Sequence, residues 1–425
     1  MSYPDSVRYL YSLGNELRAG VKFGLARMQA LLAELGNPER GQRFVHVAGT
    51  NGKGSTCAMV ANALTRAGLR TGLYTSPHLI EPTERIQLDG EPVNELEFAQ
   101  AFETVHEAAE RLLEKDLIDA HPSYFETVTA MALLTFRQRS EISVIEVGLG
   151  GRLDATNTIL PELCVITPVA YDHEAFLGNT IESIAGEKAG ILKPGVPLAM
   201  ALQSEEAEAV IVGRARELGC EILRAAAVET SGLVATSRGC RFSIEGVGYE
   251  CPLPGRHQAA NAVTAILACQ ELKCPARAIQ EGLASVRWPG RLEFVSEQPA
   301  FVLDGAHNPA GAAALAEYIR EFYSGRPVWL VYGAMRDKAV EEVTGLLFPL
   351  AERLIVTAPN FPRALRPESV LSVHRHTNAV IAGNIEDAIG IARTAPRDAT
   401  VFFTGSLFLV GEARALLTHS HHPVS

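Results

Sequence analysis

Residues Val47 to Thr56 read VAGTNGKGST, with glycines around one lysine where an apolar run, FVHVAGT (44–50), gives way to a segment of helical length. Glycines at such a turn let backbone N–H groups face phosphate oxygens at a helix N-terminus, and a lysine adds positive charge. The strict pattern G-x-x-x-x-G-K-[ST] is not met. The position five before Gly52 is Val47, and Gly54 separates Lys53 from Ser55. A variant phosphate loop is therefore expected, although the same glycines taken alone could serve a structural turn.

A second cluster, VIEVGLGGRLDATN (144–157), ends an apolar strand on Glu146. A carboxylate at the C-terminal edge of a parallel strand beside a phosphate loop is placed to hold Mg²⁺ or a metal-bound water. Away from such a loop it would read as a solvated strand end. The glycines do not complete a dinucleotide fingerprint, because Leu153 stands where the third glycine should be. A third stretch, YDHEAFLGNTIESIAGEKAGILKPG (171–195), offers His173 after a strand and Lys188 on a helix starting near Asn179 or Thr180. Beside Glu187, Lys188 alone would be an ordinary helix-face pair of little energetic value. HQAAN (257–261), GRLE (290–293) and LDGAHNP (303–309) add Asn261, Arg291, Asp304 and His307 near a suspected domain junction, where polar residues suit a ligand.

The elements that must position these groups follow from alternation. FVHVAGT, a helix from about Gly54 to Ala67, GLYTS (72–76), a helix from about Ser123 to Arg139, ISVIEVG (142–148) and LCVITPVA (163–170) alternate strand and helix. That order signals crossover units and a mostly parallel sheet. EILRAAAV and RFSIEGVGYEC, between 221 and 252, read as short strands making an antiparallel addition to the first domain. HQAANAVTAILACQEL and Pro275 to about Val286 read as helices. After RWPGRLE (287–293) the alternation resumes in AFVLDGAHN, PVWLVYGA, RLIVTAP and ATVFFTGS, a second α/β unit of about 130 residues. The fold class is α/β: an N-terminal phosphate-loop domain with a mostly parallel sheet (1–292) and a smaller Rossmann-like C-terminal domain (293–425).

The 425 residues are 47% hydrophobic and 20% charged, which describes a globular chain rather than a disordered or collagen-like one. Lys plus Arg number 38 against 49 Asp plus Glu, a net charge of −11 with no basic block, so a nucleic-acid partner is not expected. No apolar run reaches membrane-spanning length, and MSYPDSVRYL lacks the basic flank and apolar core of a signal peptide. A cytoplasmic protein without a membrane partner is expected. The seven cysteines are odd in number and show no CxxC pair, which predicts reduced, mostly buried thiols and no zinc cluster of cysteines.

The motifs GTNGKGS, TSPHL, TERI, EVGLGGRLDATN, EKAGI, HQ..NA, PGR and D.AHNP occur in one order over some 380 positions. In this the chain resembles the Mur-ligase superfamily in its folylpolyglutamate synthase and dihydrofolate synthase branch, bifunctional bacterial type. The resemblance implies an ATP-dependent ligase that adds L-glutamate to dihydropteroate or to a reduced folate through an acyl phosphate, releasing ADP and phosphate. It implies that Thr50, Asn51, Gly52, Lys53 and Gly54, with Asn261, Arg291 and Asp304, contact ATP. Ser76, Glu146, His173 and Lys188 match positions that bind two Mg²⁺ ions, Lys188 as a carbamate. Val21, Lys22, Phe23, Ser123, Tyr124, Phe125, Glu126, Leu153, Asp154 and Ala155 match the pterin and benzoate contacts. Lys53, Lys188, His173 and His307 form the implied catalytic set, and a monomer is expected.

Other readings predict different features. A folylpolyglutamate synthase alone, or another Mur-type amide ligase with a different carboxylate, would share the chemistry. Peptidoglycan-precursor ligases carry a separate N-terminal domain, for which the 48 residues before Gly49 are too few. A regulatory NTPase should show a guanine-reading NKxD sequence, and none occurs. A purely structural α/β protein would leave Lys53, Glu146, His173 and Lys188 without a shared purpose.

Overall fold

In a computed structural model, residues 1–14, 24–336 and 339–419 are described. The chain divides into two compact units. The first comprises Met1–Val169, Leu177–Glu229 and Ala260–Val286, and the second Ala170–Phe176, Thr230–Ala259 and Arg287–Ser425.

The first unit is built on an eight-stranded sheet. Its strands are β1 (Arg43–Ala48), β2 (Thr71–Tyr74), β3 (Ile86–Leu88), β4 (Glu91–Pro92), β5 (Ile142–Glu146), β6 (Leu163–Ile166), β7 (Leu198–Met200) and β8 (Ile222–Arg224), in spatial order 4-3-2-5-1-6-7-8. The run from β2 to β8 is parallel, and β3 and β4 add an antiparallel edge. The strands β1, β2, β5 and β6 are buried along all or nearly all of their length because helices cover both faces. On one side Phe44, Tyr74 and Ile145 pack with Phe98, Phe102 and Met131 of the helices Glu95–Glu114 and Tyr124–Arg139. A second core, with Ala48, Val147 and Ile166, includes residues of the helices Ile181–Ala189 and Glu205–Glu217. From β1 the chain crosses over to β2, whereas from β6 it continues away to β7. The order therefore reverses between β1 and β6, and a crevice for ligands is expected beyond the carboxyl ends of these strands.

The second unit holds two sheets. One is antiparallel, made of β9 (Thr230–Thr236), β10 (Gly239–Ile244) and β11 (Val247–Cys251) in order 11-10-9. The other comprises β12 (Glu293–Glu297), β13 (Ala300–Leu303), β14 (Val328–Tyr332), β15 (Arg353–Val356), β16 (Ala379–Ile381) and β17 (Thr400–Thr404), ordered 12-13-17-14-15-16 and parallel except for β12. Val302, Leu330 and Phe402 pack there with Leu315 and Tyr318 of the helix Pro309–Tyr323.

Two expectations about the 221–252 stretch are corrected. EILRAAAV yields β8, which pairs in parallel with β7 at the edge of the large sheet. RFSIEGVGYEC does form an antiparallel hairpin, but that sheet belongs to the second unit. The Tyr318 hydroxyl donates to the Ser237 carbonyl at 2.8 Å, and the Arg238 guanidinium lies 3.5 Å from the Phe294 ring centroid. All seven cysteines are free thiols, five of them buried. Among the described residues no helix is long and apolar enough to cross a membrane.

Candidate active site

The glycine loop leaves β1 and enters the helix Lys53–Arg66, whose N-cap Gly52 has φ +82°. Gly49, at φ +149°, lies against the loop after β6. A Cβ there would stand 1.8 Å from Thr167 Oγ1, and at Gly52 one would stand 2.4 Å from Asn261 Oδ1. Both positions therefore need glycine for their backbone conformation and for a close approach. The N–H groups of Thr50 and Asn51 donate to the Pro168 carbonyl at 2.9 and 3.3 Å, which fixes the loop against β6. Lys53 Nζ folds back to donate to the Thr50 carbonyl at 3.2 Å, keeping its charge at the loop. A positive group with helix N-terminal amides behind it makes this end of the sheet suited to anionic oxygens.

Glu146 sits beside it at the end of β5, in register with Val47 of β1. Only 4% exposed, its carboxylate accepts the Ser76 N–H at 3.0 Å. Lys188 reaches the loop from the helix Ile181–Ala189. It is 3% exposed, and Nζ donates to the Gly49 carbonyl at 2.9 Å. Glu187, its neighbour in sequence, turns away and pairs with Arg152 at 2.8 Å. Lys53, Ser76, Glu146, Lys188 and Asn261 are thus gathered around one loop in the first unit.

The segment after Glu146 is shaped by a buried relay. Asp154 accepts N–H groups from Leu149 and Thr156 and the Thr156 hydroxyl. Since that hydroxyl donates to Asp154, His46 Nε2, 2.9 Å from Thr156 Oγ1, must be the donor to it. Full burial pushes His46 down to about 3, so it is neutral, and burial raises Asp154 against the pull of its hydrogen bonds. Asn157 binds the carbonyls of Arg152 and Gly190 and accepts Lys193 Nζ at 2.7 Å. Leu153 and Ala155 belong to this same turn, with Asp154 capping the short helix Ala155–Thr158.

Ser123 and Glu126 form a capping box at the start of the helix Tyr124–Arg139, and Glu126 is also paired with Arg27 at 3.2 Å. Phe125 packs against Gly148, where a Cβ would stand 2.4 Å from the ring. The Tyr124 ring stacks on Tyr11 with centroids 5.7 Å apart and lies under the Arg85 guanidinium. Arg85 also donates to His78 Nδ1 at 2.9 Å. Arg85, His78, Thr167 and Pro168 were not singled out individually by sequence, although TSPHL and TERI contain two of them. Val21, Lys22 and Phe23 lie outside the described residues.

The second unit carries the remaining candidates. Asp304, at the end of β13, accepts the N–H groups of Leu292 and Ala306 at 3.1 and 3.0 Å. Burial raises its pKa, and the Arg291 charge opposes the rise. His307 Nδ1 lies 2.8 Å from the Gly305 carbonyl, with Nε2 3.4 Å from Asp172 Oδ2. Asn308 caps the helix Pro309–Tyr323 and donates to that same Asp172 oxygen at 3.0 Å. His173, at φ +52°, has Nε2 3.8 Å from the other oxygen of Asp172. Asp172 thus organises both histidines, a role that its place in YDHE could have suggested.

Residues 47–269 match the Mur ligase middle domain, and residues 290–407 match the Mur ligase glutamate ligase domain. The dihydrofolate synthase/folylpolyglutamate synthase of Bacillus subtilis is 35% identical over 98% of this chain and 99% of its own. The folylpolyglutamate synthase of Mycobacterium tuberculosis, solved complexed with ADP and AMPPCP, superposes with TM-score 0.90 at 31% identity, covering 98% of this chain and 99% of that one. The Escherichia coli family member solved with DHPP and ADP gives TM-score 0.85 at 30% identity, with 98% of each chain covered. Matches of this length and the glycine loop at the β1–β6 switch point agree: the chain belongs to the Mur ligase family, in its dihydrofolate synthase/folylpolyglutamate synthase branch.

Proposed function

We propose that this protein is an ATP-dependent amide ligase that joins L-glutamate to dihydropteroate and to reduced folates, with ADP and phosphate as products. The observation that carries the reading is the gathering of Lys53, buried Glu146 and buried Lys188 around one glycine loop at the carboxyl edge of the sheet. The ADP and AMPPCP complexes of the M. tuberculosis relative support ATP as co-substrate. The name of the B. subtilis relative supports both activities. We assign residues 1–292 to ATP binding and 293–425 to the ligase domain, acting as a cytoplasmic monomer.

In the first step a substrate carboxylate attacks the γ-phosphate, giving an acyl phosphate and ADP. In the second the glutamate amine displaces phosphate and forms the amide. Two anions must meet in the first step, so charge neutralisation sets its barrier. The loop amides and Lys53 supply part of it from the chain itself, with Thr50, Asn51, Gly52, Gly54, Asn261, Arg291 and Asp304 holding the nucleotide. The hydroxyl of Ser76 and the carboxylate of Glu146 are hard oxygen donors that suit Mg²⁺. Two such ions, held by Ser76, Glu146, His173 and Lys188, would supply further positive charge. His307 would orient the reacting groups. Ser123–Glu126 and Leu153–Ala155 would line the pterin and benzoate, together with Val21–Phe23.

Lys188 fits a metal site only after modification, since its ammonium donates and cannot coordinate. Loss of a proton and addition of the neutral amine to carbon dioxide would give a carbamate and release a second proton. The group would then present two anionic oxygens. A single assay tests the whole reading: dihydropteroate or tetrahydrofolate is supplied separately with ATP and L-glutamate, and the products are weighed. Each substrate should gain one glutamyl residue while ADP accumulates. AMP and pyrophosphate, or no mass gain on either substrate, would overturn it, and gain on tetrahydrofolate alone would remove the dihydrofolate synthase activity.

A further inference from the structure

His106, Glu110 and His121 lie apart from the loop just described, and each can offer one ligand atom, with all three atoms within 4.8 Å of one another. His106 and Glu110 are four residues apart on the helix Glu95–Glu114 and so share a face. His121 comes from the segment just before the Ser123 cap. Glu110 Oε1 is 3.8 Å from His106 Nδ1 and 3.8 Å from His121 Nε2. Neither distance is a hydrogen bond, and both imidazole nitrogens are buried without a hydrogen-bond partner.

The tautomer of His121 can be deduced. Its Nδ1 lies 2.9 Å from the Pro122 carbonyl, which only accepts, so Nδ1 carries the proton. Nε2 then presents a lone pair toward Glu110 and His106. A ring N–H held by a backbone carbonyl while the other nitrogen faces inward is the arrangement that orients metal-bound histidines. The Tyr9 ring packs edge-on against both imidazoles, with centroids 4.6 and 5.7 Å away. His106 is further fixed by stacking on Phe102 at 5.5 Å. Glu110, with 47% of its side chain exposed, leaves an entry path for an ion.

We infer that His106, Glu110 and His121 form a second metal site, one for a zinc-class divalent cation. Two imidazoles and a carboxylate match the nitrogen and oxygen ligands of Zn²⁺, whereas Mg²⁺ asks for oxygens. Tetrahedral zinc with bonds of about 2.0–2.1 Å separates its ligand atoms by about 3.3 Å, so modest side-chain rotations close the site. Water completes the coordination. The ion would tie the helix Glu95–Glu114 to the residues that lead into Ser123, a structural role independent of the ligase reading.

The test uses the full-length protein, stripped with chelator and kept in excess Mg²⁺ to occupy hard-oxygen sites. Titration with Co²⁺ should give one equivalent with the intense visible bands of four-coordinate geometry, displaced by Zn²⁺. Zn²⁺ alone should raise Tm. The tail His419, His421 and His422 could also bind such ions, so its triple glutamine variant serves as control and should keep both signals. The double variant H106Q/H121Q should lose them. Glu110→Gln, at a half-exposed position that leaves the metal-free Tm unchanged, should weaken Zn²⁺ at least about ten-fold. Loss of the Co²⁺ spectrum in the tail variant, its persistence in H106Q/H121Q, or unaltered Zn²⁺ affinity in Glu110→Gln would each overturn the site.

Discussion

Lys188 is 3% exposed and donates to the carbonyl of Gly49 at 2.9 Å, which holds its Nζ against the glycine loop. Glu187 does not neutralise it, since that carboxylate is taken by Arg152. Conversion to a carbamate would turn the position from donor to ligand, and this gives Lys188→Ala a distinctive outcome. Turnover should fall by two orders of magnitude or more and recover in part with added formate or acetate, which can enter the vacated space. Lys53→Ala and Glu146→Ala should lose as much and show no such rescue. All three should keep Tm within about a few degrees, because each group acts on the loop and its ligands rather than in the apolar core. A rescued Glu146→Ala, or an active Lys188→Ala, would remove the carbamate from the mechanism.

At the scale of elements, the loop is only as well placed as the helix Lys53–Arg66 that it opens, and that helix rests on the helix Ala276–Ala284. Their contact runs through Gly282, where a Cβ would stand 2.5 Å from the Cα of Ala63, and Asn62 donates to the Gly282 carbonyl at 2.7 Å. Gly282→Ala should therefore cost about 1–3 kcal/mol of stability, since helix backbone cannot yield as a side-chain tip can. Gly213, inside the helix Glu205–Glu217, has open space at the same point, so Gly213→Ala should gain about 0.5–1 kcal/mol. Urea midpoints moving in the same direction for both variants would contradict the packing. The two helices themselves were legible, because apolar spacing and the glycine turn are local signals. Their contact, through a glycine more than 200 positions downstream, was not. Nor was the parallel pairing of β8, since three residues of intermediate burial carry no period that separates a parallel edge from an antiparallel one.

On the scale of the whole molecule, the strands and the motif residues at their carboxyl ends could be read from sequence, while the buried polar groups that fix them could not. His46 is an example: within FVHVAGT it looks like an interruption of a strand, yet it supports Thr156 and Asp154 from beneath. Among the described residues burial lowers His46, His78, His106 and His257, with His46 and His78 at about 3 and His257 at about 4. Each titrates near 6.5 in the unfolded chain, so between these values the unfolded state binds more protons than the native one. The stability these groups contribute is complete above pH 6.5 and is lost as pH falls toward 4 or below. Each adds a slope of up to about 1.4 kcal/mol per pH unit. Burial raises Asp154 and Asp304 from the ordinary carboxylate range, a shift whose sign opposes the decline just above that range. Tryptophan fluorescence reports the second unit, because both tryptophans, Trp288 and Trp329, belong to it. His46→Gln should flatten the acid limb of urea unfolding followed by circular dichroism and leave the fluorescence transition unchanged, whereas His257→Gln should flatten the fluorescence transition. An unaltered slope for His46→Gln between pH 6 and 4.5 would mean that burial does not hold this imidazole neutral in the native state.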